Sequence, residues 1–311
     1  MTNLLWLGIF VVSLGSLVWA SGILIAAAER IGLGLRMSPF VVGALVMGIG
    51  TSLPELVSSV YAALAGETEI VVGNVLGSNI TNILLVLGIA GLVGKEARLK
   101  QDLLHIDLPM VLGSAMLLGF LIIDGRFTRM DAVLCLVGAG IYVYSTLATD
   151  GKAPAGSAHD AERPGISTWL RLLGSLGLIV LSAKYTVDAA VVLATALGIG
   201  TEVIALSAVA LGTSLPEIMV AITAARQGKI ELAVGNIMGS NVFNAFAVMG
   251  VPGLITPLAV PDEVITFSMP VMIAVTVLYV LVTVDAKVNR FEAALLLLFY
   301  AYFIGHLYNL A

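Results

Sequence analysis

The sequence predicts an all-α polytopic membrane protein of ten transmembrane helices, arranged as two inverted five-helix repeats. Three observations predict it. Of 311 residues, 59% are hydrophobic and only 11% charged, with a mean hydropathy of +1.06, whereas a soluble domain carries about 25% charged residues. Ten apolar segments approach the ~20 residues that a bilayer crossing requires, near 4–27, 38–64, 70–93, 104–123, 130–148, 168–195, 200–225, 231–255, 264–284 and 290–309. The second half also repeats the first at a fixed offset of 162 residues.

Taken in order, residues 1–28 lack a basic start and read as a full span rather than a cleavable signal peptide. The connections are short and carry the charge: Glu29-Arg30, Lys95 to Lys100, Asp124 to Arg129, and Asp285 to Arg290. Residues 149–166, rich in Gly, Ala, Pro and Asp, read as a flexible cytoplasmic linker between a first repeat, 1–148, and a second, 167–311. That linker is too short to hold a regulatory calcium-binding domain. Cys135 is alone in an apolar segment, which excludes a disulfide framework or a cysteine metal site. Basic residues are scattered through short loops, so nucleic acid is not an expected partner.

The repeat is most legible between residues 50–88 and 212–250, where 19 of 39 positions are identical without a gap. Gly50, Glu55, Gly73, Asn74, Gly77, Ser78, Asn79, Asn82 and Gly88 recur as Gly212, Glu217, Gly235, Asn236, Gly239, Ser240, Asn241, Asn244 and Gly250. Five spans per half is an odd number, so the copies must lie in opposite orientations. Loop charges agree. With the N-terminus outside, twelve Lys and Arg residues fall in inside loops and only Arg126 and Arg129 in outside loops. The positive-inside rule then places both termini outside. The loop around Glu67 is expected outside and its copy around Lys229 inside. Lys184 and Asp188, one turn apart within the sixth span, are expected to pair as a structural feature near the outer interface.

The segments Gly50-Thr51-Ser52-Leu53-Pro54-Glu55 and Gly212-Thr213-Ser214-Leu215-Pro216-Glu217 each set a carboxylate one residue after a proline inside an apolar span. A charged side chain in hydrocarbon costs at least ~2.5–3.5 kcal/mol, which marks such a residue as functional. The proline removes an N–H and clashes one turn back, freeing carbonyls around Gly50 and Gly212. Residues four apart share a helix face. Thr51, Glu55 and Ser59 therefore form one polar stripe, Asn74, Ser78 and Asn82 a second, Thr213 and Glu217 a third, and Asn236, Ser240 and Asn244 a fourth. Every ligand in this set is oxygen, which suits hard cations such as Ca²⁺ and Na⁺ over softer metals. His105, His159 and His306 lie at loops or ends and are expected to be solvated.

GTSLPE followed by GN-x-x-GSN-x-x-N, present twice, resembles the α-repeats of sodium/calcium exchangers in the cation/calcium exchanger superfamily, and specifically its compact prokaryotic members. The resemblance covers nearly the whole chain. It implies ten helices of inverted topology, four of them surrounding the ions, with the first and sixth spans lying across that core and sliding. It implies that Glu55 and Glu217 bind both Ca²⁺ and Na⁺, and that the carbonyls of Gly48, Thr51, Ala210 and Thr213 complete the sites. It further implies that Ser52, Ser78, Ser214 and Ser240 serve flanking Na⁺ positions and that Asn82 and Asn244 line the centre. Some relatives, including potassium-dependent exchangers, carry Asp where this chain has Asn244, which argues against K⁺ co-transport here.

The function expected is antiport of Ca²⁺ against Na⁺ in the inner or cytoplasmic cell membrane, with a Ca²⁺/H⁺ exchanger as the alternative, since buried carboxylates can carry protons. No cofactor is expected. A channel would not need proline-broken, inverted halves. An intramembrane enzyme using Glu55 and Glu217 as an acid/base pair lacks an accompanying nucleophile, His base or metal set.

Overall fold

The computed structural model describes residues 2–94, 107–149, 164–196, 214–283 and 289–310. Their helices are α1 (Thr2–Leu35), α2 (Pro39–Ala65), α3 (Thr68–Val93), α4 (Asp107–Ile122) and α5 (Arg129–Thr149) from the first half. The second half gives α6 (Ile166–Ala196), α7 (Leu215–Arg226), α8 (Ile230–Ile255), α9 (Val264–Thr283) and α10 (Arg290–Leu310). Eight are long and apolar enough to cross a membrane; α4 and α7 are shorter. The expected spans 104–123 and 200–225 begin outside the described residues. Among the described residues one departure from the all-helical expectation appears. Arg126–Phe127 (β1) and Leu258–Ala259 (β2) pair antiparallel as a two-strand ribbon.

Local sequence explains where the helices start and break. Ser38 caps α2 by accepting from the Val41 N–H, and Pro39 follows at the first position, where its missing N–H is harmless. Thr128 and Asp131 cap α5 reciprocally, and Asn289 and Glu292 do the same for α10. Gly66 ends α2 at φ 85°, and its equivalent Gly228 ends the α7 turn at φ 74°, a left-handed backbone that favours glycine in both places.

Helix α1 lies along α6 for much of its length. The α1 face is small and apolar, with Leu17, Ala20, Leu24, Ala27, Ala28 and Ile31 buried. A buried Thr186 hydroxyl donates to Ser13 across the pair at 2.9 Å. The centre is denser. Almost all of α8 is enclosed, and α2 crosses it backbone against backbone. A Cβ on Gly235 or Gly239 would collide with the Phe40 or Ala44 carbonyl, which explains glycine at both positions.

Outer helices meet this centre in matched ways. Gly250 of α8 packs on Ala132 and Leu136 of α5, while Gly88 of α3 packs on Ala293 and Leu297 of α10. These partners are related by 161 residues, as are the two capping pairs, so the register slips by one between the central and outermost helices of each half.

The two ends of α8 show how equivalent turns are disposed. At its start, Lys229 pairs with Glu29 of α1 at 2.7 Å. At its finish, the Ile255 carbonyl accepts from Arg129 at 3.3 Å, and β2 follows. The Ala259 N–H there donates to Thr68, beside Gly66. The Gly66 turn and its equivalent Gly228 turn therefore lie at opposite ends of a helix about 39 Å long.

Candidate cation-binding site

The site is built where α2 breaks. Ser52 stands between two helical segments at φ −88°, ψ 6°, and Pro54 opens the second one. Ser214 before α7 repeats the geometry at φ −85°, ψ −2°, with Pro216 in the same place. The missing proline N–H leaves the Gly50 carbonyl without its usual i+4 donor, and the Ser52 N–H turns toward both Gly48 and Gly50 instead. Glu55 and Glu217 follow in the first turn of the helix that each proline opens, 1% and 0% exposed.

Around Glu217 the oxygens converge from three helices. Ser52 donates to Glu217 Oε1 at 3.0 Å. Thr51 and Ser240 stand beside the same carboxylate, while Oε2 has no well-formed hydrogen bond among the described residues. Ser240 donates to the Gly48 carbonyl at 3.2 Å, and Thr51 donates to Asn236 Oδ1 at 3.3 Å. The hydroxyls of Thr51 and Ser240 are 3.5 Å apart. Gly48, Thr51, Ser52 and Ser240, singled out from sequence for ion binding, are thus brought together with Glu217.

The first half shows part of the equivalent arrangement. Asn74 donates to Ser59 at 3.0 Å and to the Glu55 carbonyl at 3.4 Å, joining the polar stripes of α2 and α3. Ser78 is buried on α3. Ala210 and Thr213 lie outside the described residues.

Asn82 and Asn244 each begin a π-helical turn, Asn82–Leu87 in α3 and Asn244–Val248 in α8. Such turns concentrate at functional sites. The Asn82 turn packs against α7 and α8, and the Asn244 turn against α2 and α3. Each asparagine therefore sits against helices of the other half. Neither amide has a hydrogen-bond partner among the described residues, and Ser214 Oγ also has none. Buried polar atoms are ordinarily paired, and these three side chains, with Glu217 Oε2, are groups that could contact a cation or water.

Of the residues expected to lie away from the site, His105 and His159 fall outside the described residues. Lys184 and Asp188 pair at 3.2 Å on an exposed face of α6. His306 corrects the expectation of a solvated ring: it is half-buried, 4.1 Å from the Phe267 ring between centroids. Sequence reading passed over Asp107, fully buried at the start of α4 near Tyr142 and Tyr279. Its position at the edge of a span, with no repeated partner, gave no signal. It also passed over the Thr51–Asn236 contact, which the shared helix-face spacing of the two stripes hints at.

Comparison with known proteins bears on this geometry. A family model described as sodium/calcium exchanger protein matches residues 5–148 and 167–309. Inner membrane protein YrbG of Escherichia coli is 33% identical over 290 residues, covering 89% of this chain and 88% of its own. Sodium/calcium exchanger MaX1 of Methanosarcina acetivorans is 31% identical over 95% of this chain and 96% of its own. A solved structure of the sodium-calcium exchanger NCX_Mj, soaked with Na⁺ and Sr²⁺, has a TM-score of 0.85 at 30% identity, covering 97% of this chain and 99% of that one. With a multi-pass architecture and a family match along nearly its whole length, the chain belongs to the sodium/calcium exchanger family.

Proposed function

We propose that the protein exchanges Ca²⁺ for Na⁺ across the cell membrane by alternating access, with ions held mid-membrane between Glu55 and Glu217. The observation that carries this reading is the cluster of Gly48, Thr51, Ser52 and Ser240 about Glu217, at a helix break, with oxygens from both halves of the chain. Hard, oxygen-only ligands suit Na⁺ and Ca²⁺. The offset of 162 assigns the matching cluster to Ala210, Thr213, Ser214 and Ser78 about Glu55. Between the two lobes, the paired carboxylates take Ca²⁺, with Asn82 and Asn244 alongside.

In this proposal ten spans form two inverted repeats, 1–148 and 167–311, joined by a cytoplasmic linker at 149–166, with both termini outside. The opposite placement of the Gly66 and Gly228 turns along α8 supports the inversion. Charge balance accounts for coupling. Two buried carboxylates carry −2, and one Ca²⁺ or two or more Na⁺ neutralise them. An empty site leaves charge unpaired at a cost of several kcal/mol per ion, so the empty carrier resists reorienting.

Radiolabelled Ca²⁺ uptake into proteoliposomes tests the function. A Na⁺ gradient is expected to drive uptake, and Glu55→Gln or Glu217→Gln to abolish it. Uptake that follows an imposed proton gradient and ignores Na⁺ would replace this reading with Ca²⁺/H⁺ exchange.

A further inference from the structure

Asn74 and Asn236 are equivalent by the offset of 162, yet they use opposite ends of their amides. Asn74 donates through Nδ2, at 3.0 Å to Ser59 and at 3.4 Å to Ser58 and to the Glu55 carbonyl, all within the first half. At the positions equivalent to Ser58 and Ser59 the second half has Val220 and Ala221, which offer Asn236 no hydroxyl. Asn236, fully buried, turns its oxygen across the halves to the Thr51 hydroxyl at 3.3 Å. Its Nδ2 has no partner among the described residues.

The direction of that bond matters at the ion cluster. A hydroxyl beside a carboxylate ordinarily donates to it, since a charge-assisted bond is roughly twice as strong as a neutral one. Ser52 does so with Glu217 Oε1. Thr51 and Ser240 stand beside the same carboxylate but send their protons elsewhere, Thr51 to Asn236 and Ser240 to the Gly48 carbonyl. Glu217 Oε2 is left without a well-formed bond among the described residues. A hydroxyl whose proton is engaged on an acceptor keeps its lone pairs, and oxygen lone pairs are what a hard cation takes. Thr51 has two weaker acceptors besides the carboxylate, the Gly48 carbonyl and the Ser240 hydroxyl, each at 3.5 Å. Without the Asn236 oxygen, the strongest acceptor left to the Thr51 proton is Glu217 itself. Donation there would occupy the carboxylate and withdraw the hydroxyl as a ligand in one step.

We propose that Asn236 is a positioning residue for Na⁺ coordination, which takes the Thr51 proton and so holds the Thr51 oxygen open to a cation beside Ser240 and Glu217 Oε2. The proposal rests on the antiport reading above, in which Glu217 is an ion ligand. Asn236 acts through Thr51 and touches no ion itself.

The test is Na⁺-driven Ca²⁺ uptake into proteoliposomes, measured across a range of Na⁺ concentrations with the full chain. Asn236→Leu keeps nearly the same volume and removes the acceptor, and the smaller Asn236→Ala takes its place in every comparison should Leu not fold. Either is expected to raise half-saturating Na⁺ about tenfold, the size of one hydrogen bond lost at a charged group, with the maximal rate changed less. Thr51→Val should raise it at least as much. Adding Asn236→Leu to Thr51→Val should change it by less than about twofold, since the hydroxyl that Asn236 orients is already gone. A packing role for Asn236 would cost the same whether or not residue 51 carries a hydroxyl. An Asn236 effect undiminished in the Thr51→Val background, or no shift in either folded Asn236 variant, overturns the positioning role while leaving antiport standing. Uptake by the parent that follows a proton gradient and ignores Na⁺ overturns the antiport reading and this proposal with it.

Discussion

Replacing Gly48 with Ala tests whether the contact between α2 and α8 builds the cation site. A Cβ there would stand 2.9 Å from the Ser240 nitrogen, 3.0 Å from the Gly239 carbonyl carbon and 3.1 Å from the Asn236 oxygen. All three are backbone atoms in a packed helix and cannot rotate away. Carbon contacts are comfortable at about 3.5–4.0 Å, so the two helices must part by roughly half an ångström or more. Overpacking of this kind costs about 1–3 kcal/mol. It also stretches the Ser240–Gly48 and Thr51–Asn236 bonds, now 3.2 and 3.3 Å, past hydrogen-bonding range. If about 1.4 kcal/mol of that strain falls on the ion-loaded state, Na⁺-driven Ca²⁺ uptake drops about tenfold. Gly140→Ala is the control, because a Cβ there meets nothing within 4 Å. It should leave uptake within about twofold of the parent. A Gly48→Ala protein with parental rate and half-saturating Na⁺ and Ca²⁺ would show that this helix contact does not shape the site.

Glu55→Gln and Glu217→Gln each remove one of the two carboxylates of the proposed site with little change in volume, and each should stop Ca²⁺ exchange while the purified protein keeps its monodispersity and melting temperature. Cysteines at Thr68 and Asp262 should react with an impermeant reagent from outside, and one at Gly228 from the cytoplasm; labelling of Thr68 and Gly228 from the same side would refute the inversion. Asn244→Asp adds a third carboxylate beside two, so the Ca²⁺-loaded site goes from neutral to −1 and recruits a further proton or cation. Flux of that variant should gain dependence on pH between 6 and 8 or on K⁺, and Asn82→Asp should behave alike. Unchanged profiles in both folded variants would remove the asparagines from the ion path.

Much of this was legible in the sequence because buried chemistry in a membrane protein stands out against hydrocarbon. Glu55 and Glu217 sit after prolines inside apolar runs, and the broken helix at Ser52 and the helix start after Ser214 follow directly from those prolines. The 162-residue offset likewise anticipated which residues would share positions. It did not anticipate the slip to 161 at α5 and α10, because these helices touch the centre through Ala132, Leu136, Ala293 and Leu297, ordinary apolar residues without motif character. The π-turns were also invisible. Asn82 and Asn244 lie within runs whose composition suits an α-helix, so nothing in the residues marks where the ladder slips. Asp107 was hidden for the opposite reason: a carboxylate at the end of an apolar segment reads as a loop charge until neighbouring helices are seen to bury it.

The duplicated halves keep identity where the residues meet and lose it where the turns face different neighbours. Ser52 meets Glu217, Ser240 meets Gly48, and the Asn82 and Asn244 turns each pack against the other half, whereas Glu67 has become Lys229. That substitution fits the separated ends of α8, since Lys229 finds Glu29 there and the Glu67 turn adjoins the β1–β2 ribbon instead. On the proposed mechanism, neither half holds a complete site. Ser52 of the first half is bonded to Glu217 of the second, and Ser240 of the second to Gly48 of the first. Any movement that separates the halves at the centre therefore breaks the ion cluster. On the proposed mechanism, alternation leaves these central contacts intact and moves α1 and α6, which touch α2 through Gly32 against Val42 and Leu176 against Gly50. Those two contacts are apolar and glycine-lined, whereas the Glu29–Lys229 bond of α1 is one that such a shift would have to break.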